Sequence, residues 1–294
     1  MNQKFFSEFP ALAKRTIYYT DGTMDVSGSV ELFVNRVARE IAPIRLTGNY
    51  GDQVLRGVSG FKPNSLYEGI FDAEFMQRVR AGATTYSGLS DQNHFLSSWA
   101  FKQLPWNHYA RHALERTQVT PRSPYLDNEL VALAYQAPPE FDTNLGASLH
   151  LIAEGDPALS RIATDRGVLL RHVPIVSQIR RICQEFTIKA EYVYDYGMPP
   201  WVARLDHFFA RLKLENIFLG RHKFYHFRVW YRDELSQYMK DVLLDPRTRN
   251  RPYLRGSFLE EMVNSHIKGN RNYTSEIHRI LTTELIQRQL VEQS

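Results

Sequence analysis

Cysteine is all but missing from this chain: Cys183 is the only one in 294 residues. A single thiol makes neither an internal disulfide nor a Cys-rich zinc site, so a reducing, cytoplasmic setting is expected. No stretch reaches the roughly 18 apolar residues of a membrane span. The charged start of MNQKFFSEFPALAKRTIYY is not followed by an apolar core of signal-peptide length. Charge of one sign is lacking too. The 36 Lys+Arg stand against 32 Asp+Glu, and the net +4 is too mild to call for nucleic acid or an anionic membrane as partner. Internal repeats and low-complexity tracts are absent. What is present is 43% hydrophobic residues with 16 Tyr and 17 Phe, enough to bury a core and too aromatic for disorder over most of the chain.

Residues 4–14 (KFFSEFPALAK) predict a short helix broken by Pro10. Thr16 to Thr20 (TIYYT) is β-branched and aromatic and predicts a strand, and Asp21-Gly22 marks a turn. Asp25 or Ser27 then caps a helix in which Val30, Phe33, Val34, Val37 and Ile41 recur at helical spacing. Ala42 to Leu46 predicts a second strand, running straight into Thr47-Gly48-Asn49-Tyr50-Gly51-Asp52-Gln53. Strand, helix, strand and glycine-containing loop in that order suggest a parallel α/β unit. From Phe71 onward the period is helical: over 71–80, about 92–117 with a break near Pro105, 127–136 ending before Pro138-Pro139, 175–188 and 201–219. Two further helices over 257–293 divide near Gly269-Asn270. The Pro/Gly breaks read as turns and not as linkers. The expected fold is one helix-rich α/β domain, with a small parallel sheet in residues 15–60 and a mainly helical remainder over 70–294.

Ligands of open parallel sheets bind beyond the carboxyl ends of the strands, which singles out Thr47–Gln53. Its glycines let backbone approach a ligand, and Asp52 suits a hard cation such as Mg²⁺ beside phosphates. A plain glycine turn uses the same residues. Arg122-Ser123-Pro124-Tyr125-Leu126-Asp127 is a Pro-containing bend before a helix that Asp127 can cap; it is either a rigid joint or a pocket wall. His222 and His226, like His108 and His112, stand at i, i+4, which suits two metal ligands on one helix face. Neither pair has the HExxH form, and histidines on a partly buried aromatic helix are the simpler account. Arg221, Lys223, Arg228 and Arg232, then Arg247, Arg249, Arg251 and Arg255, are locally basic and suited to phosphates. Asp233, Glu234 and Asp245 interleave with them as on an ordinary solvated surface. Cys183, beside Ile182, reads as an inert core thiol, and Lys189 as a surface residue paired with Glu185 or Glu191. Tyr194-Asp195-Tyr196-Gly197-Met198-Pro199 is a Tyr-rich loop that either closes over a substrate or packs.

The first two segments, in this order and spacing, resemble the synthetase domain of glutamine-dependent asparagine synthetases. Thr47–Gln53 is similar to that family's Ser-Gly-Glu-Gly-x-Asp-Glu loop and Arg122–Asp127 to its Arg-x-Pro-Phe-Leu-Asp segment; the likeness is readable from about Tyr18 to Glu140. The resemblance implies a nucleotide-binding parallel-sheet fold of the adenine nucleotide alpha-hydrolase type. It also implies ATP-dependent amidation of aspartate, or an aspartate-like carboxylate, by ammonia through an acyl-adenylate with Mg²⁺. Carried over, Thr47, Gly48, Tyr50 and Gly51 line the ATP site and Asp52 holds the metal. Asn49 takes the catalytic position of a Glu thought to act as base, although an amide takes no proton at neutral pH. Gln53 also replaces a Glu. The family's Lys-x-x-Leu-Arg helix falls on Asn144–Ile152, which has no lysine, and its Ser-Gly-Gly-x-Asp-Ser pyrophosphate loop has only the faint, misplaced counterpart Asp25–Ser29. The glutaminase half, with its Cys after the initiator Met, has no counterpart, since Asn2 follows Met1.

The resemblance therefore implies a truncated domain that works with an upstream synthetase or glutaminase polypeptide. The alternatives are an inactive interaction or regulatory protein that kept the fold, or an internal start at Met1. Truncation would also expose the sheet edge at Ile44–Leu46, favouring self-association or a partner.

Overall fold

The computed structural model describes residues 1–57, 69–89, 94–138, 146–159, 162, 174–197 and 219–292. Helix α1 (Gln3–Thr20) begins at Asn2, whose side chain accepts from the Phe5 N–H, and ends at Asp21 in the left-handed region. It passes through Pro10 and absorbs the strand expected at Thr16–Thr20. Phe5, Phe9, Leu12, Ala13, Thr16, Ile17 and Thr20 are all buried and form one stripe at i, i+3 and i+4, so the helical period overrides local β preference. The hydroxyls of Thr16 and Thr20 donate to the carbonyls four residues back, at 2.9 and 2.8 Å, which satisfies them inside the helix. The Asp21-Gly22 turn is present, with Gly22 at φ +72°.

Helix α2 (Gly28–Ile41) buries Val30, Leu32 and Phe33 but leaves Val37 and Ile41 exposed. Strand β1 (Ile44–Leu46) follows. Then come α3 (Gly51–Arg56), α4 (Ala73–Leu89), α5 (Phe95–Ser98), a π-helical stretch (Trp99–His108) containing Pro105, and α6 (Tyr109–Arg116). Strand β2 (Thr120–Arg122) pairs with β1 in parallel, Ile44 opposite Thr120 and Leu46 opposite Arg122. These two strands are the whole sheet among the described residues. The partner of β1 is thus a downstream strand, reached by a helical crossover, and not the upstream segment that the sequence suggested. Helices α7 (Asn128–Gln136), α8 (Gly146–Gly155) and α9 (Pro174–Tyr192) come next, with a π-helical turn (Val193–Gly197) after α9. The helix expected over 201–219 and the Pro139-Glu140 end of the family likeness lie outside the described residues. The carboxyl-terminal helices are α10 (Phe227–Arg232), α11 (Ser236–Leu243), α12 (Pro246–Arg249), α13 (Gly256–Ile267) and α14 (Thr274–Ile286), the last extended by a π-helical turn (Gln287–Val291).

One aromatic core joins the two ends of the chain. Phe5 packs edge-on to Phe33 and lies 5.3 Å from Trp230, while Phe227 meets Trp230 at 4.9 Å and His278 at 4.6 Å. Leu259, Met262, Ile277, Leu281 and Leu285 complete it. No described helix is long and apolar enough to cross a membrane.

Several surface expectations are overturned by this packing. His222 lies outside any helix and His226 directly precedes α10, so the two share no helix face. Glu191 is buried and accepts backbone N–H groups of Gly220, His222 and Lys223, while Lys189 is exposed as expected. Lys223 and Arg228 are buried as well. The Lys223 ammonium donates to Asp195 at 2.5 Å among the rings of Tyr192, Tyr196 and Tyr225, and Arg228 lies over the ring of Tyr194. The Tyr194–Gly197 segment is therefore part of the frame. Cys183 is exposed.

His266, on α13, fixes a second polar joint. Its Nδ1 accepts the Tyr273 N–H at 3.0 Å and its Nε2–H donates to the Arg228 carbonyl at 3.2 Å. Burial pushes its pKa down from 6.5 to about 3, and the charges of Arg228 and Arg232 act the same way. The folded chain holds this imidazole neutral, whereas the unfolded chain protonates it below its ordinary value. Its contribution is complete above pH 6.5 and is lost as the pH falls toward 3. Urea unfolding should show about 2 kcal/mol less stability at pH 5 than at pH 7.5 from this group, and His266→Gln should flatten that slope; an unchanged slope contradicts the assignment.

The outer face of the sheet is bare. Ile44 is 63% exposed and Leu46 77%, while Arg45 turns inward to Asn35. Parallel sheets are ordinarily covered on both faces. The chain should bind a hydrophobe-sensing dye, and Ile44→Ser with Leu46→Ser should reduce the signal; equal fluorescence would count against the patch.

Candidate functional site

Parallel pairing of β1 and β2 sets their carboxyl ends side by side. The Thr120 N–H donates to the Pro43 carbonyl at 2.8 Å, and the Thr47 N–H donates to the Arg122 carbonyl at 2.9 Å. The chain leaves β1 into Thr47–Asp52 and leaves β2 into Ser123–Asp127, so the two segments meet. The Ser123 hydroxyl donates to the Asn49 carbonyl at 2.6 Å across 74 residues of sequence. Asp127 caps α7, accepting from the N–H groups of Glu129 at 3.0 Å and Leu130 at 3.3 Å. Its predicted capping role stands, and it stiffens the wall that faces the turn.

Within the turn each residue has a distinct task. The Thr47 hydroxyl accepts the Asn49 N–H at 3.1 Å, and the Gly51 N–H closes back on the Gly48 carbonyl at 3.2 Å. Gly48 borders open space, so backbone there is accessible to a ligand. A Cβ on Gly51 would meet the half-buried Tyr125 ring at 2.9 Å, so a side chain here needs that ring to shift. Tyr50 sits at φ +73°, a conformation costing an aromatic residue on the order of 1–3 kcal/mol. Its ring leans on Trp99 at 5.5 Å and lies 6.4 Å from that of His112. Burial, and then the Glu115 charge, raise the Tyr50 pKa, so its hydroxyl stays protonated.

Behind the turn lies a carboxylate that sequence reasoning missed. Glu115, in the last turn of α6, is fully buried. Both of its oxygens accept from the Asn49 amide at 3.3 Å, and the guanidiniums of Arg111 and Arg45 approach to 3.8 and 4.0 Å. Asn49 is thereby a tether for the loop. A hint in the sequence was the Arg111/Glu115 pair at i, i+4 immediately before β2.

Two adjoining cavities open at this place and share Tyr50 and His112. One, of 390 Å³, is lined by Gly48–Gln53 with Arg56, Arg111, Tyr125 and Ser148 among others. The second, of 470 Å³, is lined by Leu46, Thr47 and Arg122–Pro124 with Leu126 and Asp127. All five predicted nucleotide-loop residues from Gly48 to Asp52 thus border the first cavity, and Thr47 borders the second. The volumes fall in the range of small-molecule sites. Gln53 is nearly buried. The Arg56 guanidinium donates to the Asp52 Oδ1 at 2.8 Å, and the Asp52 side chain remains largely exposed. Among the described residues no group of three or more His, Cys, Asp or Glu is arranged to hold a metal ion. Comparison with family models, curated proteins and solved structures found no match to this chain.

The turn makes a contrast that unfolding measurements can read. Gly51→Ala should cost about 1–3 kcal/mol through overpacking against Tyr125. Asp52→Ala, which removes the exposed carboxylate of its i, i+4 pair with Arg56, should cost about 1 kcal/mol or less. Equal losses would contradict the geometry.

Proposed function

We propose that the two adjoining cavities are a nucleotide site of asparagine-synthetase type. The chain binds ATP there and amidates a carboxylate, aspartate or a chemical relative, with ammonia, together with a polypeptide that supplies a pyrophosphate loop. The observation that carries this reading is the meeting of Thr47–Asp52 with Arg122–Asp127 at the carboxyl ends of paired parallel strands, where ligands of such sheets bind. Neither segment alone is distinctive, and their contact was not implied by either. Thr47 and the Gly48–Gly51 backbone line the site, and Tyr50 and Tyr125 offer aromatic surface for a flat base. ATP supplies the activated leaving group. Asn49, held by Glu115, orients the turn and does not act as a base.

A second reading has observations of its own. A fold-retaining interaction or regulatory protein would account for the bare face at Ile44 and Leu46 and for the charge pairing of Asp52 with Arg56. ATP–pyrophosphate exchange with aspartate and Mg²⁺ separates the two. Exchange is expected when the chain is combined with an upstream polypeptide carrying a Ser-Gly-Gly-x-Asp-Ser loop. No exchange in any combination, with no ATP bound by calorimetry, would leave the interaction reading.

A further inference from the structure

The cavity beside Asp52 has an unusual balance of hydrogen-bonding groups. Its charged walls are Arg56 and Arg111, against the single carboxylate of Asp52, and that carboxylate is already engaged by Arg56. The Arg56 side chain is mostly buried, and its Nε is buried with no hydrogen-bond partner among the described residues. Arg111 gives an N–H to Glu31 at 2.6 Å, has its Nε 3.8 Å from Glu115, and remains half exposed. Two guanidiniums on one wall, each with N–H groups beyond those these contacts use, complement a phosphate or carboxylate. A divalent cation fits poorly at the same place. Bound to Asp52 it would set two cations around one carboxylate, and Arg56 lies too deep to swing freely away. No second carboxylate lines this cavity, so a cation there would draw its other ligands from neutral oxygens, water or the phosphate itself.

We propose that the site takes the phosphate of its nucleotide directly on the guanidiniums of Arg56 and Arg111, with no divalent cation at Asp52. The inference rests on the adenylate reading and sharpens it: Arg56 occupies the place that the resemblance gives to a metal. Arg56 Nη1 stays on Asp52, which holds the guanidinium plane, while Arg56 Nη2 and the exposed edge of the Arg111 guanidinium meet the anion. The site is built for an anion with a flat apolar part, and AMP and ATP are the probes that fit this chemistry.

Isothermal titration calorimetry on the full chain tests it, with AMP and ATP, each in EDTA and in Mg²⁺. The expected result is ATP binding that agrees within about threefold between the two conditions. Arg56→Gln and Arg111→Gln should each weaken binding in EDTA by about tenfold or more, the loss of one charge-assisted contact. Asp52→Asn removes the competing carboxylate and should tighten binding in EDTA, whereas a metal ligand so altered would lose Mg²⁺-dependent binding. Circular dichroism confirms that each variant is folded, and the Asp52→Asn arm decides if Arg56→Gln does not fold. Binding seen only with Mg²⁺ and lost in Asp52→Asn overturns the metal-free site while leaving the adenylate reading in place. Binding in EDTA that both arginine variants leave unchanged also overturns it. No binding of either nucleotide overturns the adenylate reading itself, and this inference with it.

Discussion

The pairing of two three-residue strands is the constraint on which the candidate site depends. Ile44–Leu46 and Thr120–Arg122 are far apart in sequence, and their parallel register brings the exits of both strands to one place. The Ser123 hydroxyl on the Asn49 carbonyl, the Tyr125 ring on Gly51 and the two cavities all follow from that register. A slip of one residue would turn every side chain to the opposite face. Arg45 would then leave Asn35 and Glu115, and Ile44 and Leu46 would enter the polar interior.

So short a sheet does not stand alone. It is held by α2 and α6, which pack on each other and on α1, and α1 is anchored by aromatic rings from α10 near the other end of the chain. The carboxyl-terminal body adds buried polar joints. Asp195 and Lys223 neutralise each other among tyrosines, Glu191 collects three backbone N–H groups, and His266 bridges Tyr273 to Arg228. Buried polar groups of this kind cost much if left unpaired and so favour one arrangement of the segments they join. At the site the same rule applies on a smaller scale: buried Glu115, faced by Asn49, Arg45 and Arg111, holds a turn whose Tyr50 is in a strained conformation.

Much of this was legible locally. The helix bearing Val30 and Phe33, the turn at Asp21-Gly22, the strand ending at Leu46 and the cap at Asp127 follow from periodicity and from the chemistry of side chains at helix ends. The misreadings share one cause. Thr16–Thr20 carries strand-forming side chains, yet its position relative to Phe5, Phe9 and Leu12 makes it the continuation of one buried helical face. Lys223 and Arg228 sit among acids and arginines in sequence, the pattern of a solvated surface, but their partners Asp195 and Tyr194 come from another helix. Glu115 was invisible for the same reason: its meaning lies in Asn49, 66 residues earlier. The contact of the two loop segments is equally non-local, and only the resemblance to a family hinted that they belong together.

The arrangement that results is a polar, donor-rich cleft at the tip of a parallel pair, with aromatic walls and a backbone stretch open at Gly48. The chemistry of that cleft, more than the charge of the whole chain, carries the proposal of a nucleotide ligand. Hydrogen–deuterium exchange with and without AMP tests the central claim most directly. The account predicts slower exchange in both 47–56 and 122–130 on adding the nucleotide, since one ligand bridges both strand exits. Protection confined to one of them, or located elsewhere in the chain, would contradict it.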